Sequence, residues 1–319
     1  MNIKSFLKLV EIQTKLASIV PFTLGTVYAL YRFNKFNMEN FFIMLISLLC
    51  IDMAATALNN YYDFKRAKKK HGYNYESHNA IVSYSLKIPT VLTAISIMLF
   101  IAFAAGIILV IKTDIIVLLL GIASFGTGIL YSAGPVPISR TPLGEILSGF
   151  FMGFIILFLS VYIHTFDLEI ASITCKNNFL DLKLNIMEIL FIFLFSIPTM
   201  ACIANIMLAN NICDIDDDIN NKRYTLPIYV GKKNALLIFK LLYYIAYADI
   251  ILMALLKITP FISLFTIATL IPVNKNISLF FKTQKKESTF ALSVKNFSLI
   301  CLSFLFLTGI QVIFESLIF

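Results

Sequence analysis

The sequence predicts an all-α, polytopic membrane bundle of about nine transmembrane helices in one domain spanning residues 1–319. Three observations carry this. Apolar residues make up 59% of the chain and charged residues 14%, where a soluble domain averages about half and about a quarter. Mean hydropathy is +0.86. The apolar residues also fall into long uninterrupted runs separated by short charged segments, as membrane helices require.

A helix needs about 20 apolar residues to cross the hydrocarbon. By that measure the spans are predicted at 13–32, 41–60, 90–111, 114–132, 143–165, 186–208, 235–256, 258–273 and 296–317, the eighth being short. No Gly/Ser/Pro-rich linker or shift of composition marks a second domain. The first residues, MNIKSFLKLVEIQTK, lack the short apolar core and small-residue cleavage site of a signal peptide. With the N-terminus inside, 20 of the 26 Lys and Arg fall in inner segments. The positive-inside rule therefore places the N-terminus in the cytoplasm. The net charge of +8 is explained by this bias, and nucleic acid is not an expected partner. Cys50, Cys175, Cys202, Cys213 and Cys301 show no metal-ligand or redox spacing and read as small buried residues. The outer connections are short or bland, including the mixed-charge 166–185 segment, so function is expected at the inner face.

Two inner helix ends carry the chemistry. The sixth span runs into Asn210, Asp214 and Asp218, spaced by four and therefore on one face of a continuing helix; Asp216 and Asp217 should face elsewhere. Lys222, Arg223, Lys232 and Lys233 follow as a basic loop. The second span ends in the same way, with Asp52, Thr56, Asn59 and Asp63 on one stripe and then a basic run from Arg66 to His71. A solvated helix cap accounts for any one of these acids, but less readily for both stripes together. Hard oxygen ligands without His or Cys favour Mg²⁺, held by a few carboxylates and substrate phosphates. No nucleotide-binding glycine motif occurs. A metal site at the mouth of a membrane bundle suits a ligand with a diphosphate head and a lipid tail.

These motifs resemble those of the UbiA superfamily of intramembrane aromatic prenyltransferases. Asn59-x-x-x-Asp63 and Asp214-x-x-x-Asp218 are similar to its two signature motifs. Asn59-Asn60-Tyr61-Tyr62-Asp63-Phe64-Lys65-Arg66, the run from Tyr131 to Glu145 (YSAGPVPISRTPLGE) and Arg223-Tyr224-Thr225-Leu226-Pro227 with Gly231 are similar to its 1,4-dihydroxy-2-naphthoate polyprenyltransferase branch. The departures are Asn60 where an acid is usual, Ala67 and Lys69 for Gly and Asp, His78-Asn79 for Gly-Gly, and Cys213 for Arg. Lys68, Lys69 and Lys70 could offset the missing arginine.

The resemblance implies a Mg²⁺-dependent enzyme of menaquinone synthesis in the cell membrane, its active site facing the cytoplasm. It would move a polyprenyl group from its diphosphate to the naphthoate, giving demethylmenaquinone, CO₂ and diphosphate. Asn59, Asp63, Asp214 and Asp218 would hold the metal. Lys15, Lys65, Arg66, Lys222 and Arg223 would be the cations for the diphosphate, with positive-inside loop charges as the plainer reading of each. Tyr61, Tyr62 and Tyr131 are candidates to face an allylic cation, or ordinary core aromatics. Arg140 would take the acceptor's carboxylate or a phosphate. Glu145 either joins the site or simply favours a helix N-terminus, and Asp52 either aids the site or is a buried acid paired to another helix. Asp249 reads as structural, and the histidines have no assigned role. Another acceptor such as 4-hydroxybenzoate is the alternative within the superfamily; a cation-coupled transporter is the alternative from another class. No protein partner is implied.

Overall fold

A computed structural model describes residues 1–67, 73–176 and 179–318; Lys68, Lys69, Lys70 and His71 lie outside them. Among the described residues, nine helices are long and apolar enough to span a membrane: α1 (Ile12–Phe33), α2 (Met38–Arg66), α3 (Ile88–Lys112), α4 (Ile115–Ser132), α5 (Gly144–Leu168), α6 (Ile186–Cys213), α7 (Lys232–Leu255), α8 (Phe261–Lys282) and α9 (Ala291–Glu315). Each predicted span is present. The eighth is displaced inward: Pro260 sets its start, a 3₁₀ stretch Phe261–Thr269 opens it, and Leu270–Lys282 completes it. Its polar part is buried rather than looped out, because Asn276 donates to Asn296 of α9 at 2.7 Å. A run ending at the first polar residues was therefore too short.

The helices form a ring in which α2 packs along α3, α1 against α5, α5 against α6, α6 against α7, and α9 against both α8 and α1. Two glycines permit the closest approaches. A Cβ at Gly25 would stand 2.5 Å from the Leu157 carbonyl oxygen, and one at Gly153 would stand 2.5 Å from Met200 Cα. The main apolar core lies where these helices meet, around Tyr28, Phe195, Phe239, Phe280 and Phe304. At the end opposite the acidic stripes the 166–185 segment forms a two-stranded antiparallel hairpin, β1 (Ala171–Lys176) and β2 (Phe179–Leu184), with Ala171 opposite Leu184. Cys50, Cys202, Cys213 and Cys301 are free thiols.

Both acid-bearing helices run further than their apolar stretches. Helix α2 continues without a break to Arg66, its N-terminus capped by Asn37, so Asn59 and Asp63 sit on regular helix. Helix α6 ends at Cys213; Asp214 is the junction and a short helix Ile215–Asn220 follows. The four-residue relation survives the junction, since the Asp218 amide donates to the Asp214 carbonyl at 2.7 Å.

Gly153→Leu should destabilise the bundle by about 1–3 kcal/mol through overpacking. Gly309→Ala, where nothing lies within 4 Å of the added carbon, should stay within about 0.5 kcal/mol. Thermal unfolding in detergent reads both.

Candidate active site

One cavity of about 580 Å³ is walled by α1 to α6. At its mouth lie Asn59 and Asp63 from α2, and Asn210, Asp214 and Asp218 from α6 and the turn after it. Its deeper wall is apolar and reaches Met44 of α2, Val110 of α3 and Val117 of α4. From Asp63 to Met44 along α2 is about 28 Å at helical rise, close to the hydrocarbon thickness. Phe103 and Ile107 of α3 and Ile122 of α4 line the cavity with exposed apolar side chains.

The first stripe is tied to α4. Asn59 Nδ2 donates to Asp63 Oδ2 at 3.2 Å, and Ser132 Oγ donates to Asn59 Oδ1 at 3.1 Å. The second stripe is more deeply set: Asp214 is 8% exposed and Asp218 3%. Thr225 Oγ1 donates to Asp218 Oδ2 at 3.2 Å, and Arg223 Nε lies 3.3 Å from Asp218 Oδ1. Burial pushes the Asp218 carboxyl up to about 6; Arg223 pulls against this and the Asp214 carboxylate adds to it. Asp214 Oδ2 accepts from Lys286 Nζ at 2.6 Å, and Asn210 Oδ1 accepts from the same ammonium.

Two arginines complete the mouth. The loops that carry them are joined: Tyr224 N donates to the Arg140 carbonyl at 3.1 Å, Arg223 Nη2 to the Ser139 carbonyl at 3.2 Å, and Arg140 Nη1 to the Asn221 carbonyl at 3.4 Å. Burial and the neighbouring Arg223 both lower the pKa of Arg140. Two partly desolvated guanidiniums that repel one another are relieved by an anion set between them. Tyr131 lines the cavity beside this pair, its hydroxyl buried and without a hydrogen-bond partner among the described residues.

Several expected site residues are placed elsewhere. Lys15 is 2% exposed and bound to Asp52 Oδ1 at 2.6 Å and Thr56 Oγ1 at 2.7 Å, with Ser18 Oγ on the other Asp52 oxygen at 2.6 Å. Lys15 is the counter-ion of Asp52 and does not itself line the cavity; Asp52 makes the interhelical pair and also lines the cavity, so both of its readings have support. Lys65 is exposed and lies over the Tyr61 ring at 5.8 Å. Arg66 donates to the Gly134 carbonyl at 2.8 Å and stacks on Tyr62 at 4.6 Å. It ties α2 to the segment after α4, and neither Tyr61 nor Tyr62 lines the cavity. Lys222 is exposed, at a left-handed φ of 54° in the turn. Glu145 stands in the first turn of α5, as the helix N-terminus reading has it, 3% exposed and behind the cavity wall with Asn211 donating to its Oε1 at 2.8 Å. Asp216 is exposed as expected, but Asp217 lines the cavity, since it follows Asp214 by three residues and so shares its side of the helix.

Lys286 and Glu11, which no sequence motif marks, and His78, which has no assigned role, also line the cavity. Lys286 carries no motif and looks like one more positive-inside lysine. Glu11 is held by Asn60 Nδ2 at 3.1 Å and lies 3.8 Å from His78.

The donor set suits a hard cation that arrives with oxygens of its own. Among the described residues no three His, Cys, Asp or Glu side chains gather into a metal cluster. The carboxylates instead stand on two stripes bordering one cavity. Mg²⁺ is typically held this way, by one or two carboxylates together with substrate phosphates.

The UbiA prenyltransferase family model matches residues 18–304. The chain belongs to the UbiA prenyltransferase family. It is 33% identical over 234 residues to the 1,4-dihydroxy-2-naphthoate octaprenyltransferase of Bacillus subtilis (strain 168), covering 73% of this chain and 68% of that one. The UbiA fold is equally clear in solved structures. A UbiA homologue from Archaeoglobus fulgidus bound to GPP and Mg²⁺ matches with a TM-score of 0.66 at 16% identity, over 97% of this chain and 99% of its own. The apo structure of a UbiA homologue from Aeropyrum pernix K1 matches with a TM-score of 0.66 at 18% identity, over 96% and 98%.

Breaking the Lys15–Asp52 pair should cost stability. Lys15→Ala is expected to lose about 3–5 kcal/mol, as when one partner of a buried pair is removed, and Lys15→Met with Asp52→Leu should recover most of it. Thermal unfolding of the two variants measures this.

Proposed function

We propose that this UbiA-family protein is a Mg²⁺-dependent prenyltransferase that moves a polyprenyl group from polyprenyl diphosphate to 1,4-dihydroxy-2-naphthoate. The products are CO₂, diphosphate and demethylmenaquinol, the reduced form of demethylmenaquinone, because the transfer itself removes no electrons. One observation carries the reading: a single cavity joins a mouth of carboxylates and arginines to an apolar channel as long as the bilayer core. A diphosphate head and a long isoprenoid tail match the two halves. The identity to the Bacillus subtilis naphthoate enzyme supports the acceptor, and the Mg²⁺ and GPP of the Archaeoglobus homologue support the donor and the ion. A transporter would be expected to place its acids near the midplane, whereas the stripes lie at one end of the bundle.

In this reading the whole chain acts as one domain. Asn59, Asp63, Asp214 and Asp218 are the residues that would hold Mg²⁺, which when bound offsets the charge of the departing diphosphate. Arg140 and Arg223 bind anionic oxygens, on the diphosphate and on the acceptor's carboxylate, with Arg140 assigned to the acceptor. Tyr131 presents its ring at the junction of polar mouth and apolar channel, where the allylic carbon becomes cationic. The apolar walls keep water from that carbon. The lysine and arginine bias supports a mouth at the cytoplasmic face of the cell membrane.

The test is purified protein with Mg²⁺, a prenyl diphosphate and a panel of hydroxylated aromatic acids, the products identified by mass. The naphthoate should be prenylated with loss of CO₂; no product from any acceptor would contradict the reading. Asp63→Asn and Asp214→Asn should each lower turnover more than about hundredfold, and Arg140→Ala should raise the acceptor KM more than the prenyl diphosphate KM.

Channel length sets which tails fit. A Cβ at Gly106 would lie 3.8 Å from both the Phe125 ring and Ser47 Oγ across the channel. Gly106→Leu should therefore raise the KM for long prenyl diphosphates by about tenfold or more while sparing short ones, as competition between chain lengths would show.

A further inference from the structure

The segment between α8 and α9 reaches the acidic stripe of α6 through one side chain. Residues 283–290 fold back on Lys285, whose carbonyl accepts the amides of Thr289 at 2.9 Å and Phe290 at 3.1 Å, while its own amide donates to Thr289 Oγ1 at 2.8 Å. This closed turn aims Lys286 inward. Its side chain is 14% exposed, lies over the Phe290 ring at 5.3 Å, and ends on Asp214 Oδ2 at 2.6 Å and on Asn210 Oδ1. The neighbouring Lys282 and Lys285 are exposed. Lys286 thus occupies two oxygens of the stripe proposed to hold the divalent ion. An ammonium and a divalent cation cannot share those oxygens without repulsion.

We propose that Lys286 is a built-in counter-cation of the Asp214 site, exchanged for the divalent ion only when a diphosphate is present to receive it. The inference rests on the metal–diphosphate reading of the two stripes. Before loading, the ammonium neutralises a carboxylate that is 8% exposed and would otherwise be a desolvated charge. When the ion takes Asp214, the ammonium must find another anion. A diphosphate at the same mouth supplies it, and a flexible four-carbon stem with three rotatable donors can follow. Ion and diphosphate therefore bind with positive coupling, and Lys286 is the residue that couples them. By linkage each ligand tightens the other by the same factor.

The experiment is Mn²⁺ titration of the purified full-length protein in detergent, read by electron paramagnetic resonance, with and without inorganic diphosphate. In the wild type, diphosphate should tighten Mn²⁺ binding. In Lys286→Ala and Lys286→Gln, Mn²⁺ alone should bind about tenfold more tightly, and the enhancement by diphosphate should shrink by a similar factor. Lys285→Ala should change neither. Unchanged or weaker Mn²⁺ binding in folded Lys286→Gln, with the wild-type enhancement retained, overturns the proposal while leaving the metal site intact. Wild-type Mn²⁺ binding that Asp214→Asn does not reduce overturns the metal reading, and this proposal with it.

Discussion

A carboxylate carried into an apolar bundle is stabilised by a cation beside it, and at the acid-bearing end of this molecule three of them have one. Asp52 is met by Lys15, Asp214 by Lys286 and Asp218 by Arg223. The first pair ties α1 to α2 with the help of Ser18 and Thr56, and its acid also lines the cavity. The other two stand at the rim of the cavity, where their cations can turn to an incoming anion. The same physical pairing therefore serves stability in one place and chemistry in the other. What separates the two uses is the cation: Lys15 is buried away from the cavity, whereas Lys286 and Arg223 line it.

The geometry follows from where two helices stop. Helices α2 and α6 overrun their apolar stretches and carry acids and amides to the mouth of one cavity, while α3, α4 and α5 enclose the apolar channel behind it. Gly25 and Gly153 let α1, α5 and α6 close tightly on the far side, and the hairpin at the opposite end from the stripes takes no part. The loops with Arg140 and Arg223 are stitched by one backbone hydrogen bond and by two from the guanidiniums to backbone carbonyls, so the two guanidiniums are held near one another despite their repulsion. An anionic substrate benefits from that arrangement; an unloaded site bears its cost.

Much of this was legible in the sequence, for physical reasons. Long apolar runs disclosed all nine spans, and the four-residue spacing of Asn59/Asp63 and Asp214/Asp218 disclosed both stripes. The eighth span was misplaced because its buried Asn276 looks like a loop residue until Asn296 is seen beside it. Lys15 was read as a diphosphate cation because its partner, Asp52, lies on another helix. Arg66 and Lys65 belong to the motif yet point at carbonyls and an aromatic ring. Lys286 was invisible, since a lysine in an inner loop has an ordinary explanation. Two departures from the family pattern also proved to be neighbours: Asn79 Nδ2 donates to the Asn60 carbonyl at 2.8 Å, and Asn60 Oδ1 accepts the Ala80 amide at 3.3 Å. Asn60 in turn holds Glu11 at the cavity wall, so a carboxylate stands beside the position where the family usually has one.

The central claim is that the stripes of α2 and α6 act as one site across a shared cavity. Anomalous diffraction from crystals grown with Mn²⁺ and a prenyl diphosphate tests it most directly. The account predicts metal density bordered by Asp63 on one side and by Asp214 and Asp218 on the other, with the prenyl tail running toward Met44. Metal bound to one stripe alone, or a tail lying outside the channel, would contradict it.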